Sequence, residues 1–345
     1  MKQKAVLAFS GGLDTSVVIK YLQEKHRMDV ITVTIDVGEG SDQKKIAAKA
    51  KNLGVLRHYN IDAKKEFVED FIHPSIKANA LYQNKYCLAT SLARPLIAQK
   101  VLEIAKKEKV DALAHGCTGK GNDQVRFDVT FGSGSNLPII APIRDLNLDR
   151  TTELEFANKH GIPIDSVSKK FSIDQNLWGR AIEGGNLEDP YNEPPEDAFI
   201  WVKTKNLPDK ARYLEIEYET PAALCLIEAH SDLEKMVHTK HQNKFKSLVD
   251  QEWTWLAYSG LWQDPLKRDL DKFIDQSQKT VTGTVKLKLY KGSFRVVGRK
   301  SKYSLYSHDI ATYGKGSAFD QRKATGFVEL WGLQTTEANK LSNKR

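Results

Sequence analysis

Residues 8–16 read Ala-Phe-Ser-Gly-Gly-Leu-Asp-Thr-Ser and connect a short apolar run to a helical pattern that we expect from Val17 to about Lys25. Paired glycines carry no β-carbons, so the backbone of such a turn can approach an anion closely. The N-terminus of the following helix adds about half a positive charge, and the hydroxyls of Ser10, Thr15 and Ser16 supply further donors. The stretch therefore predicts a loop that cradles a pyrophosphate group.

This loop is not of the Walker A type. The pattern G-x-x-x-x-G-K-[ST] is absent, because the other glycine-rich stretch, residues 116–122, lacks its ending. Asp14 is an unusual neighbour for a bound anion, unless its carboxylate helps to hold a metal ion on the phosphates or braces the loop. The alternative for the loop alone is a Gly-Gly turn before an ordinary capped helix.

The first 165 residues alternate short apolar runs with helical patterns, which is typical of a parallel sheet covered by helices on both faces. The expected buried strands cover residues 5–9, 30–35, 112–114 and 139–141. Between them, Ser41 can cap a helix that ends at Gly54, and an apolar stripe from Ala93 to Ile104 marks another helix. We predict an α/β fold with a doubly wound parallel-sheet nucleotide-binding domain over residues 1–165.

The alternation of apolar runs and helical patterns ends after residues 160–163. The loop-rich stretch that follows predicts a domain boundary near residue 165. Beyond it we expect a strand from Tyr213 to Tyr218, a helix from Ala229 to Val249, and a hairpin between Thr280 and Val297. These patterns predict an α+β domain over residues 166–330. Residues 331–345 are polar with scattered apolar positions and are expected to form a docking helix or a frayed tail.

Composition narrows the class of protein. The chain has 345 residues, 40% of them hydrophobic, which suffices for two domains with their own cores. Three widely spaced cysteines predict neither a disulfide framework nor a zinc site, and no run approaches the length of a membrane span or a signal peptide. We therefore expect a cytoplasmic protein without a membrane partner.

The formal net charge of +8 has two interpretations: an anionic partner such as nucleic acid, or a basic surface that keeps the protein soluble. The lysines are dispersed and no arginine-rich arm is present, which favours the second. We expect no nucleic-acid partner.

Two further segments are rich in small polar residues. Residues 86–95 start a helix, so Thr90 or Ser91 could be a routine N-cap. Residues 115–127 read His-Gly-Cys-Thr-Gly-Lys-Gly-Asn-Asp-Gln-Val-Arg-Phe and follow a predicted strand at its carboxyl end, where open parallel sheets bind ligands. In the second segment Arg126 suits a carboxylate and Asp123 suits an ammonium group, although a surface ion pair between them is the alternative.

The loop at residues 8–16 resembles that of the N-type ATP pyrophosphatases, which cleave ATP between its α and β phosphates. The segments at residues 86–95, 115–127, 171–180 and 187–190, with the stretches at 281–283 and 297–299, closely resemble the argininosuccinate synthase family. Because this resemblance runs over nearly the whole chain, it implies an ATP-dependent ligase that joins citrulline to aspartate through a citrullyl-adenylate, with release of AMP and pyrophosphate. It also implies Mg²⁺ bound mainly through ATP, and a homotetramer with a synthetase and multimerisation domain.

The resemblance assigns residues to three ligands. ATP would be held by Ala8, Phe9, Ser10, Gly11, Gly12, Leu13, Asp14, Thr15, Ser16, Ile35 and Gly116. Citrulline would be held by Tyr86, Ser91, Asn122, Arg126, Ser172 and Tyr218. Aspartate would be held by Thr118, Asn122 and Asp123.

The chain departs from the family pattern at two places that both concern citrulline. A whole segment is missing between Glu217 and Tyr218, including a glutamate expected to contact the citrulline amino group, and Ala181 stands where many relatives have a serine. A related enzyme that adenylates a different ureido or carboxylate acceptor is therefore an alternative hypothesis. A tRNA-modifying ATP pyrophosphatase and a non-catalytic binding protein are the others. A tRNA-modifying enzyme would need a reactive cysteine pair or an RNA-binding module, and neither is evident in the sequence. A non-catalytic binding protein would not need both polar loops intact.

Overall fold

The computed structural model describes residues 2–163, 171–189, 191–196, 209–216, 223–291, 293–307, 322 and 324–342. Its centre is a five-stranded sheet in the order β3-β2-β1-β4-β5, in which all four neighbouring pairs are parallel. The strands are β1 (Lys4–Ala8), β2 (Asp29–Asp36), β3 (Arg57–Asp62), β4 (Ala112–Ala114) and β5 (Ile139–Ile140).

Helices cover both faces of this sheet, as the sequence predicts. One face packs on α1 (Leu13–Glu24), α2 (Gln43–Asn52) and α8 (Arg150–Lys159). The other face packs on the short helices α3 (Lys64–Phe67) and α4 (His73–Lys77), then α5 (Ala89–Glu108) and α6 (Asp123–Gly134). A further short helix, α7 (Pro142–Asp145), follows β5. The chain reverses direction across the sheet between β1 and β4, which is where doubly wound sheets place their ligands.

The second half of the chain is α+β. A two-stranded ribbon pairs β6 (Ser172–Gln175) with β7 (Arg180–Glu183), and an antiparallel sheet has the order β10-β9-β8. Its strands are β8 (Arg212–Ile216), β9 (Thr284–Tyr290) and β10 (Ser293–Lys300). The helices are α9 (Ala223–Val237), α10 (Lys240–Ser259), α11 (Pro265–Ser277) and α12 (Ala324–Ser342).

Aromatic side chains join the two halves into one core. Trp262 stacks on Phe71 of the first half with 4.6 Å between ring centroids, and Trp253 meets Trp262 edge-on at 5.7 Å. Trp253 is completely buried and donates a hydrogen bond to Asp271. Because of this packing, α10 lies beside α5 and reaches the carboxyl edge of the parallel sheet.

Several expected elements differ in their bounds. The helix after the glycine pair begins at Leu13 rather than Val17, and α2 is capped by Asp42 rather than Ser41, because the Asp42 carboxylate accepts bonds from two backbone N–H groups. The expected helix from Ala229 to Val249 is two helices, since Thr239 caps a new start. The edge strand β3 is polar and was not expected. No helix among the described residues is long and apolar enough to cross a membrane.

Candidate active site

A cavity of about 850 Å³ opens at the carboxyl ends of β1 and β4. Both glycine-rich segments of the sequence reach it, because each follows one of these two strands. Most of the expected ligand-binding residues line it: Ala8, Phe9, Ser10, Gly12, Asp14, Thr15, Ile35, Tyr86, Gly116, Thr118, Asn122, Asp123, Arg126 and Ser172.

Four expected residues do not line the cavity. The Gly11 carbonyl accepts a hydrogen bond from Lys49 Nζ. Leu13, the first residue of α1, packs against the face of the sheet that this helix covers. Ser16 is fully buried and its hydroxyl donates to the Gly12 carbonyl at 2.6 Å. Ser91 is also fully buried, in the first turn of α5. Tyr218 lies outside the described residues.

The glycine-rich loop presents free backbone donors to the cavity. Gly12 precedes α1 in an extended conformation and supplies no side-chain cap, so the first N–H groups of the helix remain available to an anion. The loop is braced by its own hydroxyls: Gly12 N–H donates to Ser10 Oγ at 3.2 Å, and Ser10 and Thr15 hydroxyls lie 3.3 Å apart. The loop and the start of α1 therefore have a backbone arrangement that can bind an anion.

Acidic and basic groups surround the loop's Asp14. Arg150 Nη1 lies 3.3 Å from Asp14 Oδ1, and Glu153 of α8 faces the same carboxylate from the protein interior. Burial, together with the negative charge of Asp14, raises the pKa of Glu153 to about 8. Glu153 therefore holds its proton more readily than an exposed glutamate does, next to the Asp14 carboxylate.

A network of ion pairs lines the end of the cavity opposite the glycine-rich loop. Asp123 Oδ2 accepts from Arg94 Nε at 2.8 Å and Asp123 Oδ1 accepts from Arg126 Nη1 at 2.6 Å. Burial alone would raise the pKa of Asp123, but the charges of Arg94 and Arg126 outweigh it and hold this pKa below its usual range. The ion pair between Arg126 and Asp123, which the sequence left open as the alternative, is present, with Arg126 buried and Asp123 partly exposed at the cavity.

Arg94 also binds a second carboxylate. Its Nη2 donates to Asp174 of β6 at 3.0 Å, and Asp174 accepts in turn from the Thr90 hydroxyl. The Tyr86 hydroxyl accepts from the Thr90 backbone N–H at 3.0 Å. Neither Thr90 nor Ser91 is the N-cap of α5, because that position is Leu88 in a left-handed conformation. The Tyr86 hydroxyl thus takes part of the capping role that the sequence suggested for Thr90 or Ser91.

Hydrogen bonds of the His115 side chain brace the second glycine-rich segment. This side chain is 1% exposed; its Nε2 bonds Asp128 at 2.8 Å and its Nδ1 accepts from the Cys117 backbone N–H. The proton of a neutral imidazole therefore sits on Nε2. Arg144 binds the other oxygen of Asp128, which fixes the loop between β4 and α6.

Sequence reasoning did not assign several residues that line this cavity, notably Glu39, Tyr82, Arg94, Asp174 and Tyr258. Arg94 and Asp174 stand inside segments that the sequence already singled out, so their charges were a usable signal. Tyr258 offered none, because it lies more than 130 positions from Arg126, its partner in space. Burial raises the pKa of Glu39, whose side chain enters the cavity beyond β2.

A doubly wound parallel sheet with an anion-binding loop at its switch point defines a nucleotide-binding enzyme of the HUP class. Residues 4–163 match the family profile described as arginosuccinate synthase N-terminal HUP domain. Residues 171–220 and 210–338 match the profile of the arginosuccinate synthase C-terminal domain. The chain belongs to the argininosuccinate synthase family.

Curated argininosuccinate synthases match this chain over nearly its full length. An argininosuccinate synthase of Pyrococcus furiosus is 47% identical, over 97% of this chain and 94% of that protein. One from Dehalococcoides mccartyi is 48% identical over 97% and 95%, and one from Methanothermobacter thermautotrophicus is 46% identical over 99% and 98%. A solved structure titled a predicted subunit of tRNA methyltransferase from Methanocaldococcus jannaschii superposes with a TM-score of only 0.33 at 17% identity over 45% of this chain and 76% of that one. That likeness is too weak to inform fold or function.

The comparison also confirms the missing segment. The alignment with the Pyrococcus protein has 389 positions against the 345 residues of this chain, so at least the difference of 44 positions has no counterpart here. The C-terminal profile matches in two parts that meet around residues 210–220, where the sequence indicated the gap. The enzyme nevertheless has its family's activity, the ATP-dependent condensation of citrulline with aspartate in arginine biosynthesis, and the alternative hypotheses are not favoured.

Proposed function

We propose that the cavity divides into three neighbouring subsites, for ATP, citrulline and aspartate, as the family resemblance assigns them. One observation carries this proposal. The loop after β1 and the loop after β4 close on the same cavity, so the nucleotide side and the amino-acid side face each other across it. Such an arrangement is what in-line attack at a phosphate requires, because this chemistry depends on alignment more than on a strong base.

The nucleotide subsite combines the anion cradle with an apolar wall. Phe9, Val33 and Ile35 line the cavity next to the loop, and they offer a surface for a flat base. Gly116 completes this side, since it lies against the backbone of Thr15. We assign to ATP all the residues that the resemblance implies, with Gly11, Leu13 and Ser16 acting by shaping the loop.

Mg²⁺ fits this subsite as a partner of ATP. Asp14 offers a carboxylate oxygen at the cavity, and hard cations such as Mg²⁺ prefer oxygen ligands from one or two carboxylates and phosphates. Within the described ranges, no group of three or more His, Cys, Asp or Glu side chains could hold a metal ion by itself. When bound, Mg²⁺ would neutralise charge on the phosphates, and Asp14 is the residue that would hold it.

The citrulline subsite is built around Arg126. This residue lines the cavity, and each of its two terminal nitrogens carries a second N–H, beyond those bonded to Asp123 and Tyr258, that can serve a substrate carboxylate. Tyr86, Asn122 and Ser172 line the same part of the cavity. The Ser91 hydroxyl is buried and has no hydrogen-bond partner among the described residues, and Tyr218 completes the proposed set. Ala181 lines the cavity without a polar atom to offer.

The aspartate subsite lies at the start of α6. Thr118, Asn122 and Asp123 line the cavity there, and the low pKa of Asp123 keeps its carboxylate charged for an ammonium group. Arg94 balances this charge from the other side.

The reaction proceeds in two displacements. The citrulline ureido oxygen attacks the α-phosphorus of ATP, the bond between the α-phosphorus and its bridging oxygen breaks, and pyrophosphate leaves. The bound aspartate ammonium loses one proton to solvent, and the neutral amine attacks the ureido carbon. AMP leaves with the ureido oxygen, and the new nitrogen loses a second proton to solvent. The helix α1 N-terminus and the loop donors stabilise charge on the phosphates throughout.

Substitutions at the two amino-acid subsites test the assignment. Arg126→Ala should raise the citrulline KM about ten- to a hundredfold, which is what a lost bond to a charged group costs. Thr118→Val should raise the aspartate KM and spare that of citrulline, since among the described residues the Thr118 hydroxyl makes only a 3.5 Å contact, to Lys120 N–H. Equal effects of both variants on both substrates would refute separate subsites.

The assembly belongs to the same proposal: a homotetramer in the cytoplasm, with α12 reaching a neighbouring subunit. Helix α12 exposes a row of large apolar side chains, among them Leu330 and Trp331, each more than three-quarters exposed. Such a surface is typical of a helix that another chain covers. Free thiols at Cys87, Cys117 and Cys225 support a reducing compartment. The break between the two profile matches supports the proposed domain bound near residue 165, whereas the C-terminal match runs to residue 338, past the proposed bound at 330.

A further inference from the structure

The end of helix α10 touches the proposed citrulline subsite through its backbone. The main-chain carbonyl of Tyr258 accepts a 2.6 Å hydrogen bond from Arg126 Nη2 and lies 3.4 Å from the Asn122 side-chain amide. Carbonyl groups in the last turn of a helix have no partner within the helix and carry partial negative charge. This carbonyl is therefore a strong acceptor for a guanidinium.

The Tyr258 ring reaches the same subsite from above. It stacks face to face on Tyr82 with 3.7 Å between centroids and meets Tyr86 edge-on at 6.4 Å. The Arg126 Cζ lies 5.8 Å from the centre of the Tyr258 ring, within the range of a cation–π contact. One residue of the second half thus contacts Arg126 and also the tyrosine assigned to citrulline.

Gly260 allows α10 to come this close. It caps the helix in a left-handed conformation, with φ of +89°. A β-carbon there would lie 3.0 Å from the Arg126 backbone nitrogen and 3.1 Å from Arg126 Cγ. A side chain larger than hydrogen would therefore push α10 and α6 apart at Arg126 itself.

These contacts hold the Arg126 guanidinium at both of its terminal nitrogens. Nη1 is bound to Asp123, Nη2 is bound to Tyr258, and the side chain is 5% exposed. Nε is buried and has no hydrogen-bond partner among the described residues, so the second N–H groups of Nη1 and Nη2 are the donors left for a ligand in the cavity. A guanidinium held at both ends offers these donors in one orientation, which is the pre-organisation that tight and specific binding requires.

We propose that Tyr258 and Gly260 are positioning residues for citrulline: they orient Arg126 and Asn122, so the second half of the chain sets the geometry of the acceptor subsite. This inference rests on the assignment of Arg126 to citrulline and adds residues that the substrate itself does not define. It also supplies a fixed wall for a subsite from which the family's glutamate has been lost.

The test uses the full chain and separate titrations of citrulline, aspartate and ATP. Gly260→Ala should raise the citrulline KM about tenfold and leave the ATP KM within about twofold, since displacing one charged bond costs about that much affinity. Tyr258→Leu, which removes the ring, should act in the same direction, and Tyr258→Phe should recover most of the loss because it keeps the stack on Tyr82. An unchanged ATP KM shows that the variants are folded.

Gly161→Ala is the matched control for Gly260→Ala. Gly161 also follows a helix with positive φ, +62°, but a β-carbon there would meet nothing within 4 Å. It shares the backbone strain without the approach to α6, so its citrulline KM should equal that of the parent. If Gly260→Ala does not fold, the pair Tyr258→Leu and Tyr258→Phe still decides the question.

Arg126→Ala separates the assignment of Arg126 to citrulline from the positioning role of Tyr258 and Gly260. If Arg126→Ala raises the citrulline KM and neither Gly260→Ala nor Tyr258→Leu does, the positioning role is refuted and the subsite stands. If Arg126→Ala itself leaves the citrulline KM unchanged, the assignment of Arg126 fails and the positioning role fails with it. A rise in all three variants, with recovery in Tyr258→Phe, is the result we expect.

Discussion

Gly116 lies against Thr15 so closely that a β-carbon at Gly116 would stand 2.9 Å from Thr15 Cγ2 and 3.2 Å from the Thr15 backbone nitrogen. The two residues come from different loops, one after β4 and one after β1. Their contact fixes the distance between the anion cradle and the amino-acid side of the cavity. The backbone atoms cannot yield as a flexible side chain would.

Gly116→Ala should therefore raise the ATP KM by about tenfold or more, as expected for displaced phosphate donors. The cause is steric, because the Gly116 backbone does not have the positive φ that strains an L-residue. Steady-state kinetics with ATP as the varied substrate measure the effect. Gly132→Ala is the control, since a β-carbon at Gly132 on α6 meets no atom within 4 Å. Equal ATP KM values for the two variants would contradict the close approach.

Ala181→Ser should improve citrulline binding. Ala181 lines the cavity on β7, and a hydroxyl there would restore a donor at the place where many relatives carry serine. A single neutral hydrogen bond is worth about three- to tenfold in affinity, so we expect the citrulline KM to fall by about that factor. Ala181→Val, which adds bulk without the hydroxyl, should not show this gain. A Ser variant that behaves like the Val variant would show that this position does not face citrulline.

Glu153→Gln should change how stability depends on pH. Burial raises the pKa of Glu153 in the folded chain to about 8, well above its ordinary value of 4.5 in the unfolded chain. Between these values the folded state binds more protons than the unfolded state, so the contribution of Glu153 to stability falls as pH rises. The amide cannot ionise, and the Tm of the variant relative to the parent should therefore increase from about pH 5 to about pH 8.5.

Thermal unfolding of both proteins across that pH range makes the measurement. Glu155→Gln on the same helix serves as the comparison for a lost carboxylate outside the Asp14 pair. A Tm difference between Glu153→Gln and the parent that stays constant with pH would show that Glu153 is ionised at neutral pH in the fold.

Trp331→Ser together with Leu330→Ser should weaken the assembly. Both side chains stand exposed on α12, where the proposed neighbouring subunit would cover them. Light scattering after gel filtration should give a tetramer for the parent and smaller species for the double variant. Lys340→Ser, which removes a polar side chain from the same helix, should leave the tetramer intact. A monomeric parent would refute the proposed assembly.

The parallel sheet and its loops could be predicted because their signals are local. The apolar runs at β1, β2, β4 and β5 and the glycine pair at residues 11–12 each mark their own structure. The strand β3 was missed, since its residues Arg57–Asp62 are largely polar and its pairing with β2 is the only reason it is a strand. The break between α9 and α10 was missed, although residues 238–244 include no apolar side chain and Thr239 is a residue type that caps helices.

The candidate site was predictable only where sequence neighbours also become neighbours in space. The two glycine-rich segments were identified from composition, and the structure brings both to one cavity. The role of Tyr258 was not predictable, because its contact with Arg126 depends on how Trp253 and Trp262 pack α10 against the first half. The burial of the ion pair between Arg126 and Asp123 likewise follows from this packing and not from their spacing.

The most direct test of the whole account is pyrophosphate release from ATP and Mg²⁺ with citrulline and aspartate, each omitted in turn, with mass spectrometry of the products. We expect release that depends on citrulline, with argininosuccinate and AMP formed only when aspartate is also present. That result would show that an enzyme short of at least 44 family positions still completes both displacements. Pyrophosphate release that is absent with citrulline, or indifferent to it, would contradict the assignment of this cavity to citrulline.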